Sequence, residues 1–345
     1  MSFYSSPLIS WTEKGLYCEA GGFYIDPHRA VDLAVITHAH SDHARRGHGK
    51  YLCVKDGLEL LRTRIGKRIN VDCFAYGEQF VLGDTTVSLH SAGHILGSAQ
   101  VRVQRGSEVW VASGDYKRDR DPSCDPFEIV PCDTFITEAT FGAKEFVWPK
   151  NLEHGRLISD WWEENAADGR NSILFGYSLG KAQRILAELS PYAKKPILIH
   201  STISELTDCY RKQGRLLAET NVLSDVLYYL FDDECLSGEL ILAPPSIMRA
   251  DWASKLGEYR TAFASGWMNS GGFGRYDKGF VMSDHADWED LNLTIRQSGA
   301  HRVFVQHRDG ELIKHLRKDG IDAHAVEQLK ADNYTSLGGT VLRLL

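Results

Sequence analysis

Three imidazoles and a carboxylate crowd into one short stretch of this 345-residue chain: His38, His40, Asp42 and His43, in THAHSDH. The apolar run VDLAVIT directly precedes them and reads as a buried strand. A tight loop at a strand end can turn close-spaced side chains toward one point, which is what a metal centre requires. Imidazole with carboxylate suits zinc, manganese or iron; without thiolates it does not suit copper(I) or an iron–sulfur cluster. The pattern HxHxDH would arise by chance in about two of a thousand chains of this composition, which sets aside four solvated turn residues as its explanation.

One loop cannot fill two coordination shells, so further ligands must come from other strand ends. His94 in SAGHILGSA lies between two expected strands, among small residues that leave room around it. Asp115 ends the strand EVWVASGD, and His307 in FVQHRDG ends the last clear strand. Alone, each also reads as an ordinary turn or half-buried residue; their shared placement singles them out. Two adjacent divalent ions would lower the pKa of a shared water and bind a phosphate oxygen, but would not supply a proton for a leaving alkoxide. A histidine kept charged by a carboxylate could supply that proton. The turn SDHADW, which holds His285, reads as a helix start that Ser283 or Asp284 could cap.

The elements that must position these residues change character along the chain. Up to about residue 140 they read as short strands joined by Gly- and Asp-containing turns, with one helix, DGLELLRTRIG, stopped by glycine. From about 150, helices such as LEHGRLISDWWEENAADG and LGKAQRILAELS alternate with apolar strands such as SILFGYS and ELILAPP, the pattern of a parallel α/β unit. A Gly-rich stretch, SGWMNSGGFGRYDKG, then leads into a short α/β tail. Strands, then α/β, then a tail is the order that an inserted domain produces.

Composition sets the class. Hydrophobic residues at 43% and charged residues at 25% describe a soluble globular chain and exclude disorder. No apolar run reaches the ~18 residues of a membrane-spanning helix, and the N-terminus lacks the basic start and apolar core of a signal peptide. Seven cysteines without a CxxC pair read as reduced thiols, so a cytoplasmic protein is expected. A net charge of −7 argues against passive coating of nucleic acid. Residues 45–120 nevertheless carry 13 Lys/Arg against 8 Asp/Glu, which reads either as a solvated helix face or as a local basic groove.

In order and spacing, Asp26 in GGFYIDPH, His38 to His43, His94 and Asp115 resemble the motifs of the metallo-β-lactamase fold superfamily. TEATFG with Glu138, FGYSLGKAQRIL, MSDHAD with His285 and FVQHR with His307 resemble its β-CASP nuclease branch. ASGWM followed by GFVMSDHADW is similar to bacterial ligase-associated DNA exonucleases, also described as mRNA 3′-end processing factor-like. The resemblance implies an α/β (α+β) fold: an αββα sandwich over 1–145 and 277–345, with a β-CASP-like α/β cap inserted at 146–276. It implies two divalent metal ions, zinc or manganese. One would sit on His38, His40 and His94, the other on Asp42, His43 and His307, with Asp115 bridging and Asp26 orienting a ligand histidine. Arg308 stands where the family often has glycine.

The resemblance further implies a two-metal nuclease, an exonuclease on single-stranded nucleic acid with DNA favoured, acting in DNA repair beside a ligase or helicase. Asp42, Asp115, Glu138 and His285 would be its catalytic residues, His285 as the general acid kept charged by Glu138, a role that can hold together with the helix-start reading of SDHADW. An RNA-processing nuclease, a hydrolase of thioesters or small esters, and a non-catalytic nucleic-acid-binding subunit are the alternatives on the same fold. Glu138, His285 and the cap speak against the ester hydrolase, and the full ligand set speaks against the non-catalytic subunit. Ser178 and Lys181, in the strand–helix loop SLGKAQ, read as a phosphate cradle or an ordinary turn. Trp267, Phe273 and Tyr276, interleaved with Arg275, suit base stacking on a single strand or a plain hinge. Trp161 and Trp162 read as core or interdomain packing.

Overall fold

The computed structural model describes residues 6–230, 235–249, 256–271, 274–306 and 310–330. The first sheet is formed by β1 (Ser10–Thr12), β2 (Gly15–Cys18), β3 (Phe23–Ile25), β4 (Leu33–Val35), β5 (Lys50–Val54) and β6 (Val71–Phe74), in that order. It begins as an antiparallel hairpin and continues parallel from β3. The second sheet starts as an antiparallel meander of β7 (Gln79–Leu82), β8 (Thr85–Ser91), β9 (Ala99–Arg105) and β10 (Glu108–Ala112). The strand β11 (Thr134–Thr137) adds in parallel to β10.

Alternation along each strand builds the layers, because successive side chains leave on opposite faces. Leu52 and Val54 of β5 face Trp110 and Ala112 of β10 in the core between the two sheets. Tyr51 and Cys53 point the other way, onto Leu61 and Ile65 of helix α1 (Leu58–Ile65). Val111 likewise turns outward, onto the helices of the C-terminal segment. The result is helix, sheet, sheet, helix.

The cap is a second folding layer with its own sheet. Its helices are α2 (His154–Ala167), α3 (Lys181–Leu189), α4 (Ser201–Lys212) and α5 (Leu223–Tyr228). Between and after them run β12 (Asn171–Phe175), β13 (Ile197–Ile199), β14 (Thr220–Val222), β15 (Leu240–Ala243), β16 (Tyr259–Ser265) and β17 (Lys278–Val281). All pair in parallel, in the order β14-β13-β15-β12-β16-β17. A parallel sheet covered on both faces needs strands that are apolar throughout, and β12 and β15 are buried at every residue. Leu174 and Leu242 pack on Trp161 and Trp162 of α2, whereas Ile173 and Ile241 face Leu223 of α5. The pairing of β17 with β16 carries this sheet past residue 276, to Val281.

The chain then returns to the sandwich through α6 (Trp288–Ser298), β18 (Arg302–Val305), α7 (Glu311–Lys318) and β19 (Asp322–Ala325). β18 and β19 extend the second sheet in parallel beyond β11. Asp287 caps α6 by accepting from the Asp290 N–H at 2.9 Å. Core and cap meet along an apolar seam in which Leu60 and Ile95 pack on Leu179 and Leu206. Gly180 makes this approach possible. Its φ is +86°, and a Cβ there would lie 2.4 Å from Ile95 Cγ2.

Candidate metal centre and cleft

The ends of five elements deliver the chemistry to one place. The loop after β4 carries His38 to His43, the β8–β9 loop His94, the end of β10 Asp115, the end of β11 Glu138, and the segment after β17 His285. His38 Nε2, His40 Nδ1, His94 Nε2 and an Asp115 carboxylate oxygen all lie within 4.8 Å of one another. His40 Nδ1 stands 3.0 Å from both His38 Nε2 and His94 Nε2. Asp115 Oδ2 is 3.6 Å from His38 Nε2 and 3.4 Å from His43 Nε2, so it sits between the two halves of the motif. Asp42 Oδ2 lies 3.8 Å from His43 Nε2 on a side chain 72% exposed to the cleft. His307 falls outside the described residues.

Outer partners decide which nitrogen of each ring faces inward. His94 Nδ1–H donates to the Asp284 carbonyl at 2.6 Å, and His40 Nε2–H to the Leu179 carbonyl at 3.1 Å. His38 Nδ1 is 3.0 Å from the Thr37 hydroxyl, which itself donates to Asp26 at 2.6 Å. With these protons outside, the inward nitrogens of all three rings carry lone pairs. Burial, reinforced for His38 and His94 by neighbouring imidazoles, pushes these histidines below their ordinary pKa and keeps them neutral. Three lone pairs at about hydrogen-bond separation have no proton to share, so this donor set fits a divalent cation. Burial works against charge on Asp115, yet His43 and His285 hold its carboxyl well below the usual range. Burial also opposes charge on His43, and the Asp115 and Asp26 carboxylates outweigh it.

Asp26 organises this loop from behind. Its carboxylate accepts from Thr37 N at 2.8 Å, from Thr37 Oγ1 and from His43 Nδ1 at 2.8 Å. Its backbone takes φ +44°, a left-handed conformation that Asp tolerates better than most residues.

Across the site, both Glu138 oxygens lie 3.0 Å from His285 Nδ1. Glu138 is fully buried and is fixed by the Tyr116 N–H at 2.7 Å. Burial disfavours charge on His285, but Glu138 and Asp115 outweigh it and raise its pKa to about 9. The ring lines the cleft with 23% of its side chain exposed, and among the described residues no protein group engages its Nε2. The Ser283 hydroxyl accepts from the His285 N–H at 3.0 Å, which fixes a turn beside the ion pair, but the cap of α6 is Asp287 and neither Ser283 nor Asp284.

A cavity of about 620 Å³ opens over the centre between core and cap. Ser178 and Trp267 line it. Trp267 packs against Phe141 at 4.8 Å. Lys181 also borders the cavity but is only 2% exposed, with its Nζ 2.8 Å from Asp284 Oδ1. Arg275 is exposed on a loop away from the cavity wall, Tyr276 stacks on Phe263 at 5.2 Å, and Phe273 lies outside the described residues. Trp161 and Trp162 are cap core. Two cleft-lining residues, Asp284 and Arg64, and the buried Thr37 behind them carry no sequence signal that places them at the site. Thr37 and Asp284 border recognised histidines, and Arg64 lies on α1 in the basic stretch and donates from Nε to the Ala39 carbonyl between His38 and His40 at 3.2 Å.

A sandwich with an Asp-centred histidine cluster at its strand ends, capped by an inserted parallel sheet, is the metallo-β-lactamase fold of β-CASP type. No family model matches the chain. It is similar to a probable DNA ligase of Opitutus terrae, 33% identical over 340 residues, covering 96% of this chain and 32% of that protein. It is similar also to an RNase J-like protein of Methanocaldococcus jannaschii (24% identical, 48% of this chain and 45% of that protein). A third relative is the endoribonuclease YSH1 of Yarrowia lipolytica (26% identical, 42% and 20%). The chain thus spans less than half the length of each of these curated relatives. A crystal structure of a protein of unknown function from Enterococcus faecalis shares the fold, with a TM-score of 0.55 at 12% identity, covering 79% of this chain and 74% of that one.

Proposed function

We propose that the protein is a metal-dependent nuclease, an exonuclease that hydrolyses phosphodiester bonds in single-stranded nucleic acid, with DNA favoured. The observation that carries this reading is the His285–Glu138 pair facing the Asp115-centred histidine cluster across one cleft. His38, His40, His94 and Asp115 would hold one divalent ion, and Asp42, His43, Asp115 and His307 a second, zinc or manganese. Such ions supply Lewis acidity and a water acidic enough to ionise near neutral pH. The protein's own part is the proton. His285, kept charged by Glu138, is placed to donate from Nε2 to the departing sugar oxygen, and Glu138 stays buried behind it to stabilise the cation. Hydrolysis of a small activated ester has less need of such an acid, because its leaving group departs more readily.

Arg64 gives the cavity wall a cation held beside the metal loop, suited to a backbone phosphate. Trp267 and Ser178 are in reach of the same strand, and Trp267 offers it an aromatic surface. The similarity to a probable DNA ligase supports a cytoplasmic role in DNA repair beside a ligase or helicase. Among the described residues, no helix is long and apolar enough to cross a membrane.

The test is degradation of end-labelled single-stranded DNA and matched RNA with added manganese or zinc, comparing wild type with Asp115→Ala. Metal-dependent cleavage of DNA that disappears in the variant is the expected result, and the ladder reads the polarity. A wild type as silent as the variant on both polymers would overturn the reading.

A further inference from the structure

Five charged side chains are buried where cap and core meet behind the cleft. Lys181 and Arg184 come from α3 of the cap; Lys117 and Asp121 follow β10 of the core; Asp284 precedes His285. Their side chains are exposed by 9% at most. Lys181 Nζ sits 2.8 Å from Asp284 Oδ1, Arg184 Nη1 at 3.7 Å and Lys117 Nζ at 4.0 Å. Lys117 also pairs with Asp121 and reaches the His94 carbonyl at 3.4 Å. The two cap cations continue onto the backbone: Lys181 Nζ donates to the Met282 carbonyl and Arg184 Nη1 to the Ser283 carbonyl. Three successive residues before His285 are therefore gripped from α3.

Buried ion pairs add little stability over apolar packing of the same volume, because desolvation offsets their attraction. The neighbouring seam of Ile95, Leu179 and Leu206 shows that apolar contact suffices to join the domains here. What charges add is position, and the gripped segment holds two groups of the site. The Asp284 carbonyl receives the His94 Nδ1–H, and the next residue is His285.

We propose that Lys181 and Arg184 are positioning residues: acting through Asp284, they lock the 282–284 segment so that it orients His94 and presents His285, and Lys181 does not contact the substrate phosphate. The kinetic side of this inference rests on the nuclease reading; the metal-binding side does not.

The test compares Lys181→Met, Asp284→Asn and the double variant with wild type. Cobalt(II) alone is titrated and followed by its visible absorption, and kcat and KM are measured on single-stranded DNA. Each single variant should bind cobalt about 10–100-fold more weakly, the usual effect of losing a group that orients a ligand histidine. Each should lower kcat with KM unmoved. The double variant keeps the net charge of the cluster, so it should recover part of both losses. A raised KM with kcat and cobalt affinity unchanged would make Lys181 a phosphate contact and overturn the proposal. Three variants indistinguishable from wild type would overturn it too. Should Lys181→Met fail to fold, the near-isosteric Asp284→Asn carries the same comparison. A wild type that binds cobalt but cleaves no polymer would refute the nuclease reading and leave the cobalt titration to judge the clamp.

Discussion

Asp26→Asn separates the carboxylate's wiring from its shape. Asparagine fills the same volume and tolerates the left-handed φ of +44°, so the backbone has no reason to move. The hydrogen bonds cannot be kept. Asp26 accepts three protons, from Thr37 N, Thr37 Oγ1 and His43 Nδ1, and the amide offers one acceptor oxygen and one donor nitrogen. With the oxygen on Thr37 N, the amide donor faces His43 Nδ1–H. When the ring gives up one of its two protons to bind a metal, it then keeps the other on Nε2, the atom 3.4 Å from Asp115, and has no inward lone pair to offer. With the amide turned over, the Thr37 N–H loses its partner, which costs about 1–3 kcal/mol of stability. The first outcome weakens metal binding about 10–100-fold, or about 1.4–2.7 kcal/mol. Competition with a chromophoric zinc chelator measures the first, and urea unfolding of the metal-free protein measures the second. Whichever way the amide settles, one of the two losses should reach at least about 1 kcal/mol. Unchanged zinc affinity together with unchanged unfolding would refute the tautomer argument.

Glu138→Gln keeps the Tyr116 N–H contact but removes the charge that holds a proton on His285, so kcat on DNA should fall about 10²–10⁴-fold at unchanged KM; steady-state kinetics checks it, and an unaffected kcat removes His285 as the acid. His154, at the start of α2, supplies a pH dependence: burial first, then Arg184, Lys181 and Lys117, push its pKa down to about 3, with Asp284 opposing. The unfolded value of 6.5 is higher, so the unfolded chain gains the proton as pH falls below it, and the fold loses about 2 kcal/mol between pH 7.5 and 5.0. His154→Gln should lose that much less over the same interval in urea unfolding, and equal pH sensitivity in the two proteins would sink the assignment.

Most of the centre was legible because its signals are local. His38, His40, Asp42 and His43 share one loop, Asp115 ends an apolar run that reads as a strand, His94 lies between two such runs, and Asp26 is marked by the resemblance. What escaped depends on pairings far apart in the chain. Lys181 sits in a loop that reads equally well as a phosphate cradle, and only the Asp284 carboxylate 103 positions on turns it inward. The carbonyl that orients His94 belongs to a residue 190 positions away, and a backbone carbonyl leaves no mark in the sequence. The three-residue β14 carries no period long enough to register, and β17 follows the Gly-rich stretch closely enough to pass for the start of the tail. Helix α4 ends at Lys212, short of its apolar pattern, because Gly214 takes φ +75°.

The segment from Met282 to Ala286 belongs to neither domain alone, and this bears on how the cleft works. At one end the Met282 N–H donates to the Ser265 carbonyl of the cap at 3.4 Å; at the other the Ala286 N–H donates to the Tyr116 carbonyl of the core at 2.7 Å. His285 lies between these anchors, while its partner Glu138 ends a strand of the rigid sandwich. Its ring can meet Glu138 and the cleft together only when cap and core are docked. In the histidine cluster, the core alone supplies His38 and Asp115, but His94 and His40 each donate to a carbonyl on the far side of the seam or at its edge, Asp284 and Leu179. A shift of the cap would therefore misplace His285 and loosen two of the three neutral histidines at once. The fold thus ties both the His285–Glu138 pair and the histidine cluster to the interface between cap and core.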